Sequence, residues 1–202
     1  MDEEAQIDEA ITELLRAAQT KFRYEHARLI GTAAYYAAKA HKGQQRKSGG
    51  PYVLHPIRVA KKLVELDDER IDVTTICAAL LHDALEDTKL TTAQIDEQFG
   101  RDVTSLVQSL TKKKLADKPK QEEDQEYFEQ LRRNAKQNPR IGLIKVLDVL
   151  DNARTIYVHP KKRQEQRLSN IKEFYIPLAK QLEQPKLAKK LQAIIDNPPT
   201  KD

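Results

Sequence analysis

The stretch that decides the fold is ICAALLHDALED, residues 76–87. Its first six residues are apolar without interruption, and the rest adds an imidazole and three carboxylates. At about 100° per residue, a helix would bring these polar side chains into one arc of about 140°: His82, Glu86, Asp83 and Asp87. Burying them without a partner would be costly. The stretch therefore predicts a central helix over 72–87 that ends either at a cation or in solvent.

Hydrophobic periodicity outward from this segment predicts an all-α fold. Helices are expected over 3–18, 21–41, 55–66, 91–111, 123–137 and 140–157, with the last one or two over 160–195. Pro56 is expected at the first helical position of its helix, with His55 as the cap. The run 112–120 is expected to be a charged loop, and no convincing strand is present. We therefore predict one domain over 1–202, a bundle of about eight to ten helices.

Composition excludes several classes of protein. The single Cys77 rules out an internal disulfide, and its apolar surroundings predict a buried, inert thiol. The first ten residues do not resemble a signal peptide, and no stretch approaches the ~20 apolar residues of a membrane span. A soluble, cytoplasmic protein is expected. The net charge of +4 is modest, and no nucleic-acid-binding signature is present, which favours a small polyanion as partner.

A second polar stripe interrupts the otherwise apolar helix predicted over 140–157. Its members are Asp148, Asp151, Asn152 and Thr155. Alone, such a stripe is more often a solvated face, and a lone histidine such as His55 is more often a cap or a packed ring. Combined with His82, Asp83 and Asp148, however, His55 would complete a set of two nitrogen and two oxygen ligands. Such a set suits Mn, Fe or Zn, and its carboxylates favour Mn.

These residues carry a resemblance to a known family. His55, then His82-Asp83, then Asp148 resemble the H…HD…D signature of HD phosphohydrolases. More narrowly, the chain is similar to the hydrolase domain of RelA/SpoT homologues and to small alarmone hydrolases over about 28–185. The agreeing segments are AHKGQQRKSGGPYVLHPIRVA (40–60), AALLHDALEDT (78–88), FGRDVTSLVQSLTK (99–112), IKVLDVLDNARTI (144–156) and EFYIPLAKQL (173–182).

The resemblance implies a function and a set of roles. It implies metal-dependent removal of the 3′-pyrophosphate from ppGpp and pppGpp, an activity of the stringent response. The implied Mn ligands are His55, His82, Asp83 and Asp148. Glu86 and Asp87 would position or deprotonate the attacking water. The implied contacts to the guanine nucleotide are Arg46, Lys47, Ser48, Asn152 and Thr155.

Some features depart from the family pattern. Val149 stands where the family commonly has Arg, and Asp151 where it has His, which would make the region less attractive to phosphate. Two alternatives therefore stay open: hydrolysis of another nucleotide, such as NADPH or a nucleoside triphosphate, and a catalytically weakened alarmone-binding protein. Residues 1–25 fall outside the resemblance and are expected to form an added helix or a homodimer contact. The length leaves no room for the family's synthetase domain, so degradation without synthesis is expected.

Overall fold

The computed structural model describes residues 2–112 and 120–201. No strand occurs in these residues, and one isolated bridge pairs Gln45 with Pro51. No described helix is long and apolar enough to cross a membrane. The all-α prediction is confirmed, whereas most of the expected charged loop, 113–119, lies outside the described residues.

The chain divides into two compact units, Met1–Lys112 and Lys113–Asp202. The first contains α1 (Glu3–Lys21), α2 (Tyr24–Ala40), α3 (Leu54–Val64), α4 (Val73–Leu81), α5 (Ala84–Asp87) and α6 (Thr92–Leu110). The second contains α7 (Lys120–Gln137), α8 (Pro139–Ala153), α9 (Lys161–Asn170), α10 (Ile176–Gln181) and α11 (Pro185–Asp196). A single domain stays a prediction.

Helix α4 is the centre of the first unit, because seven consecutive residues from Thr75 to Leu81 are buried. It packs against α2, α3 and α6. Helix α2 presents small residues to the core, with Ala33, Ala34 and Ala37 fully buried. These small side chains allow α2 to pack closely against α4. Burial, and secondarily the carboxylate of Asp72, raise the pKa of Cys77 to about 12. The expected buried thiol is confirmed.

The N-terminal helix α1 belongs to the core of the first unit. The side chain of Asp2 caps it by accepting from the amide of Ala5 at 2.7 Å. Its buried face, Ile11, Leu14 and Ala18, packs against α2 and α3. The helix expected over 3–18 is therefore present and extends three residues further, to Lys21. One of its faces is buried in the core of the first unit, and the other is exposed.

Helix α8 is the most buried element of the second unit. Asn138 caps it by accepting from the amide of Arg140 at 3.2 Å, and Pro139 occupies the first turn, where no amide hydrogen is needed. The helix packs against α7, α10 and α11. Between α9 and α10, residues Ile171–Tyr175 form a π-turn that carries Phe174 to within 4.5 Å of Phe128, between ring centroids.

Two helical glycines provide a matched test of the packing. A Cβ on Gly142 in α8 would lie 2.8 Å from Leu182 Cδ1 and 3.1 Å from Ala135 Cβ. A Cβ on Gly31 in α2 would make only ordinary contact, 3.4 Å from Leu15 Cδ2. Gly142→Ala should destabilise the protein by about 1–3 kcal/mol through overpacking. Gly31→Ala should be neutral or stabilise it by up to about 1 kcal/mol. Urea unfolding followed by circular dichroism measures both, and the reverse order would contradict the described packing.

Candidate metal and active site

The polar turn that follows α4 forms the centre of the candidate site. Helix α4 ends at Leu81, His82 and Asp83 form a turn, and α5 begins at Ala84. The helix predicted over 72–87 is therefore interrupted. The physical reason is that His82 Nδ1 lies 2.7 Å from the carbonyl oxygen of Ala79, the acceptor that a continuous helix would give to the amide of Asp83.

This hydrogen bond fixes the orientation of the His82 ring. A carbonyl oxygen only accepts, so Nδ1 carries the hydrogen and donates it. In the neutral ring the lone pair then lies on Nε2, which is 3.2 Å from Asp83 Oδ2. The ring is buried. A backbone carbonyl that orients a histidine in this way is the usual support of a metal-ligating imidazole.

His55 reaches the same carboxylate from α3. The helix begins at Leu54 with Val53 as its cap, so the expectation that His55 caps the helix and Pro56 stands first is wrong. Both lie inside the first turn, where a proline is tolerated because its missing amide hydrogen has no helical partner. His55 Nε2 lies 3.7 Å from Asp83 Oδ2, and the two imidazole centroids are 5.3 Å apart.

Tyr52 is a member of the site that was not predicted from the sequence. Its hydroxyl donates to Asp83 Oδ2 at 2.6 Å and lies 3.3 Å from Asp87 Oδ2. The residue stands inside the GGPY segment that carried the family resemblance, three positions before His55. That position was the available signal.

The two adjacent acids Glu86 and Asp87 are exposed and have different partners. Glu86 accepts a hydrogen bond from the backbone amide of Lys112, whereas the Asp87 carboxylate lies beside the Tyr52 hydroxyl. Both acids line a cavity of about 690 Å³ that also has Lys39 and Lys89 on its wall. A cavity of this size can hold part of a nucleotide.

The loop between α2 and α3 is closed by its own backbone. The amide of Arg46 donates to the carbonyl of Gly50 at 3.0 Å, and the amide of Gly49 donates to the carbonyl of Arg46 at 2.9 Å. The guanidinium carbon of Arg46 lies 5.9 Å from the centroid of the Tyr52 ring. Lys47 and Ser48 are exposed at the tip. The loop thus presents two cations, one of them held against an aromatic face.

In the second unit, Asp148 is buried on α8 with two partners on its own helix. Lys145 Nζ donates to Oδ2 at 2.6 Å, and Asn152 Nδ2 donates to Oδ1 at 2.6 Å. Asn152, predicted to contact the nucleotide, therefore bonds this carboxylate. Thr155 follows the end of α8, and its hydroxyl lies 3.5 Å from the carbonyl of Asn152.

Asp151, one of the departures from the family pattern, is also buried. It is 1% exposed, and its Oδ1 lies 3.8 Å from Arg154 Nη1. Its charge is therefore opposed by a cation at the C-terminal end of the same helix. Val149, the other departure, is partly exposed on α8.

Comparison with known proteins gives consistent results. The HD domain family matches residues 33–184. A guanosine-3′,5′-bis(diphosphate) 3′-pyrophosphohydrolase of Aquifex aeolicus is 40% identical over 78% of this chain and 22% of its own length. The bifunctional (p)ppGpp synthase/hydrolase SpoT of Escherichia coli is 37% identical over 81% of this chain and 23% of its own. The chain thus spans less than a quarter of these relatives.

Solved structures extend the comparison to the fold. A metazoan ortholog of SpoT, described as hydrolysing ppGpp, superposes with a TM-score of 0.68 at 31% identity. The match covers 83% of this chain and 94% of that one. The protein lmo0812 of Listeria monocytogenes superposes with a TM-score of 0.54 at 24% identity over 73% of this chain and 99% of its own, which is a likeness of fold alone.

Proposed function

This chain belongs to the HD domain family, and on that premise we propose that it hydrolyses the 3′-pyrophosphate of ppGpp and pppGpp. Water would add to the phosphorus attached to the ribose 3′ oxygen, the bond between that phosphorus and the 3′ oxygen would break, and the oxygen would leave with the nucleoside as a protonated 3′ hydroxyl. The products are pyrophosphate with GDP or GTP. The observation that carries the proposal is that two buried imidazoles, those of His82 and His55, approach one oxygen of Asp83 at 3.2 and 3.7 Å. The acid pair Glu86-Asp87 begins three residues later in the chain.

We propose His55, His82, Asp83 and Asp148 as the ligands of one divalent ion. Donor chemistry supports the set, because His55, His82 and Asp148 are buried and each offers one nitrogen or carboxylate oxygen. His82 presents Nε2, since Nδ1 is taken by Ala79. Asp148 already accepts from Lys145 and Asn152, but each carboxylate oxygen has a second lone pair for an ion. Mn²⁺ is the proposed metal because mixed imidazole and carboxylate ligation suits it.

A divalent ion supplies Lewis-acid chemistry, polarising a phosphoryl oxygen and making water a better nucleophile at neutral pH. The chain's own acids would complete the reaction. Asp87 is proposed to orient the attacking water and take its proton, because its carboxylate lies beside Tyr52, which also bonds Asp83. Glu86 is proposed to share this task from the next position along the chain.

The substrate is proposed to be bound through the α2–α3 loop. Guanine would stack on the guanidinium of Arg46, and Lys47 and Ser48 would meet phosphate oxygens. Because Arg46 already lies near the Tyr52 ring, less conformational entropy would be lost on binding. Asn152 and Thr155 are proposed to approach the sugar and phosphates.

A second candidate is hydrolysis of another nucleotide, and the Val149 and Asp151 departures favour it. The third candidate, an alarmone-binding protein with weakened catalysis, is disfavoured by the retained Glu86-Asp87 pair. Purified protein loaded with Mn²⁺ and assayed on ppGpp, GTP and NADPH, with product analysis, distinguishes the three. A homodimer and a cytoplasmic location stay predictions.

The first test concerns the metal. Asp83→Ala should lose bound Mn²⁺ and essentially all hydrolysis, because it removes the carboxylate on which both imidazoles converge. The fold should persist by circular dichroism. Asp8→Ala, which removes an exposed carboxylate from α1, is the matched control. Elemental analysis after gel filtration measures the metal, and a full equivalent retained by Asp83→Ala would remove Asp83 from the ligand set.

The second test separates catalysis from metal binding. Glu86→Gln and Asp87→Asn keep the shape of each side chain and remove its charge. Each should retain the metal and lower kcat by about 10²–10⁴-fold if the residue acts as an acid or base. Glu97→Gln, at an exposed position on α6, serves as the control. Near-normal kcat in both variants would mean that the pair is only a polar helix end.

The third test concerns substrate choice. Arg46→Ala should raise KM for ppGpp with a smaller change in kcat, because stacking on guanine acts in both the ground and transition states. The expected loss is about 1–2 kcal/mol, and Arg46→Lys should recover only part of it because ammonium lacks a planar face. Arg101→Ala on α6 is the exposed control. An unchanged KM in Arg46→Ala would contradict the proposed stacking.

A further inference from the structure

The Tyr52 hydroxyl lies between two carboxylates to which the proposed function gives different tasks. Its oxygen is 2.6 Å from Oδ2 of Asp83, the proposed ligand, and 3.3 Å from Oδ2 of Asp87, the proposed proton acceptor. One hydroxyl hydrogen can be donated fully to only one of them, and the shorter contact identifies Asp83 as the main acceptor. The phenol therefore contacts both the proposed metal ligand and the proposed proton acceptor.

The position of the phenol is fixed from behind. The Tyr52 ring stacks on the buried ring of His41 with centroids 4.9 Å apart and an angle of 29° between the planes. His41 Nδ1 lies 2.8 Å from Gln44 Oε1, and Gln44 Nε2 donates to the backbone carbonyl of Asp87 at 2.6 Å. The amide of Tyr52 donates in turn to the carbonyl of Gln44 at 2.9 Å.

These contacts link the α2–α3 loop to Asp83, in the turn after α4, and to Asp87, the last residue of α5. Asp87 is held at two points, its carboxylate beside Tyr52 and its carbonyl by Gln44. Within this set of contacts, the Asp83 carboxylate is bonded through Oδ2, the oxygen that also lies near the two imidazoles. A loop that binds both residues in this way controls where the two carboxylates stand relative to each other.

We propose that Tyr52 is a positioning residue that sets the geometry of both carboxylates, acting on the metal through Asp83 and on the water through Asp87. The inference rests on the proposed function for the tasks of these two acids. Hydrogen bonds to ligating side chains orient them and raise metal affinity, and their removal typically lowers that affinity by about 10–100-fold.

Tyr52→Phe is the direct test, because it deletes the hydroxyl and keeps the ring that stacks on His41. Titration calorimetry of the metal-free protein with Mn²⁺ should show a Kd raised by about 10–100-fold. The melting temperature of the metal-free protein should fall by no more than about 5 °C, the effect of losing one hydrogen bond. At saturating Mn²⁺ the variant should still have a reduced kcat for ppGpp, because the Asp87 carboxylate no longer has the Tyr52 hydroxyl beside it. Tyr35→Phe, which removes an exposed hydroxyl from α2, should match the wild type in all three measurements.

Gln44→Ala is the second variant and distinguishes the hydroxyl from the loop as a whole. It removes the side-chain bonds to the carbonyl of Asp87 and to His41 but keeps the Tyr52 hydroxyl and the backbone bond from the amide of Tyr52 to the carbonyl of Gln44. The kcat should therefore fall, while the Kd for Mn²⁺ should rise much less than in Tyr52→Phe. An equal loss of Mn²⁺ affinity in both variants would overturn the inference, since it would indicate a general loosening of the loop. So would a Tyr52→Phe protein that melts earlier but binds Mn²⁺ like the wild type.

The metal titration does not depend on the identity of the substrate. If the wild type binds Mn²⁺ but ignores ppGpp, the proposed function fails, and the comparison of Kd values still decides the role of Tyr52. If the wild type binds no Mn²⁺, the positioning role fails together with the metal site.

Discussion

The structure of the first unit depends on how a buried apolar helix ends in polar side chains. The imidazole of His82 at the end of α4 is buried and needs a partner, because burial without one is costly. The hydrogen bond from His82 Nδ1 to the carbonyl of Ala79 meets this need and ends the helix at the same point. The interaction that interrupts the helix therefore also directs Nε2 at Asp83. One contact thus both ends the helix and leaves Nε2, the proposed metal-binding nitrogen, facing Asp83.

The two units hold their carboxylates in different ways. Asp83, whose side chain is 18% exposed, lies beside the imidazole of its neighbour His82, the imidazole of His55 from α3 and the phenol of Tyr52 from the α2–α3 loop. Asp148 is satisfied within α8, by a lysine three residues before it and an amide four residues after it. Each carboxylate thus has partners from the protein itself. Zinc fingers, by contrast, have no such preformed site and fold only around their metal. The difference explains why we expect substitutions at the proposed ligands to remove metal without unfolding the chain.

Periodicity predicted α1, α2, α4, α6 and α8, because their apolar positions recur at helical spacing. Over 160–195, where one or two helices were expected, the structure instead has α9, α10 and α11. It could not predict the break at His82, since a helical wheel describes side-chain direction and not competition for a backbone carbonyl. The cap at Val53 was missed for a related reason: the preference of proline for the first helical position is statistical, and the third position also lacks a helical acceptor. Tyr52 was missed because a lone tyrosine in a loop carries no periodic signal. Its contacts arise only when the loop folds back over the turn after α4.

The geometry also divides the acid pair that the sequence presents as a unit. Asp87 lies beside the Tyr52 hydroxyl that donates to Asp83. The Glu86 carboxylate instead accepts a hydrogen bond from the backbone amide of Lys112, just past the end of α6. A glutamine at position 86 can still accept that amide through its carbonyl oxygen, so it would preserve the anchor and remove only the charge. An asparagine at position 87 would likewise keep an acceptor near Tyr52. Because both substitutions leave these contacts possible, a loss of turnover would be attributable to the missing charge, and the larger loss would identify which of the two acids has the proposed role of proton acceptor.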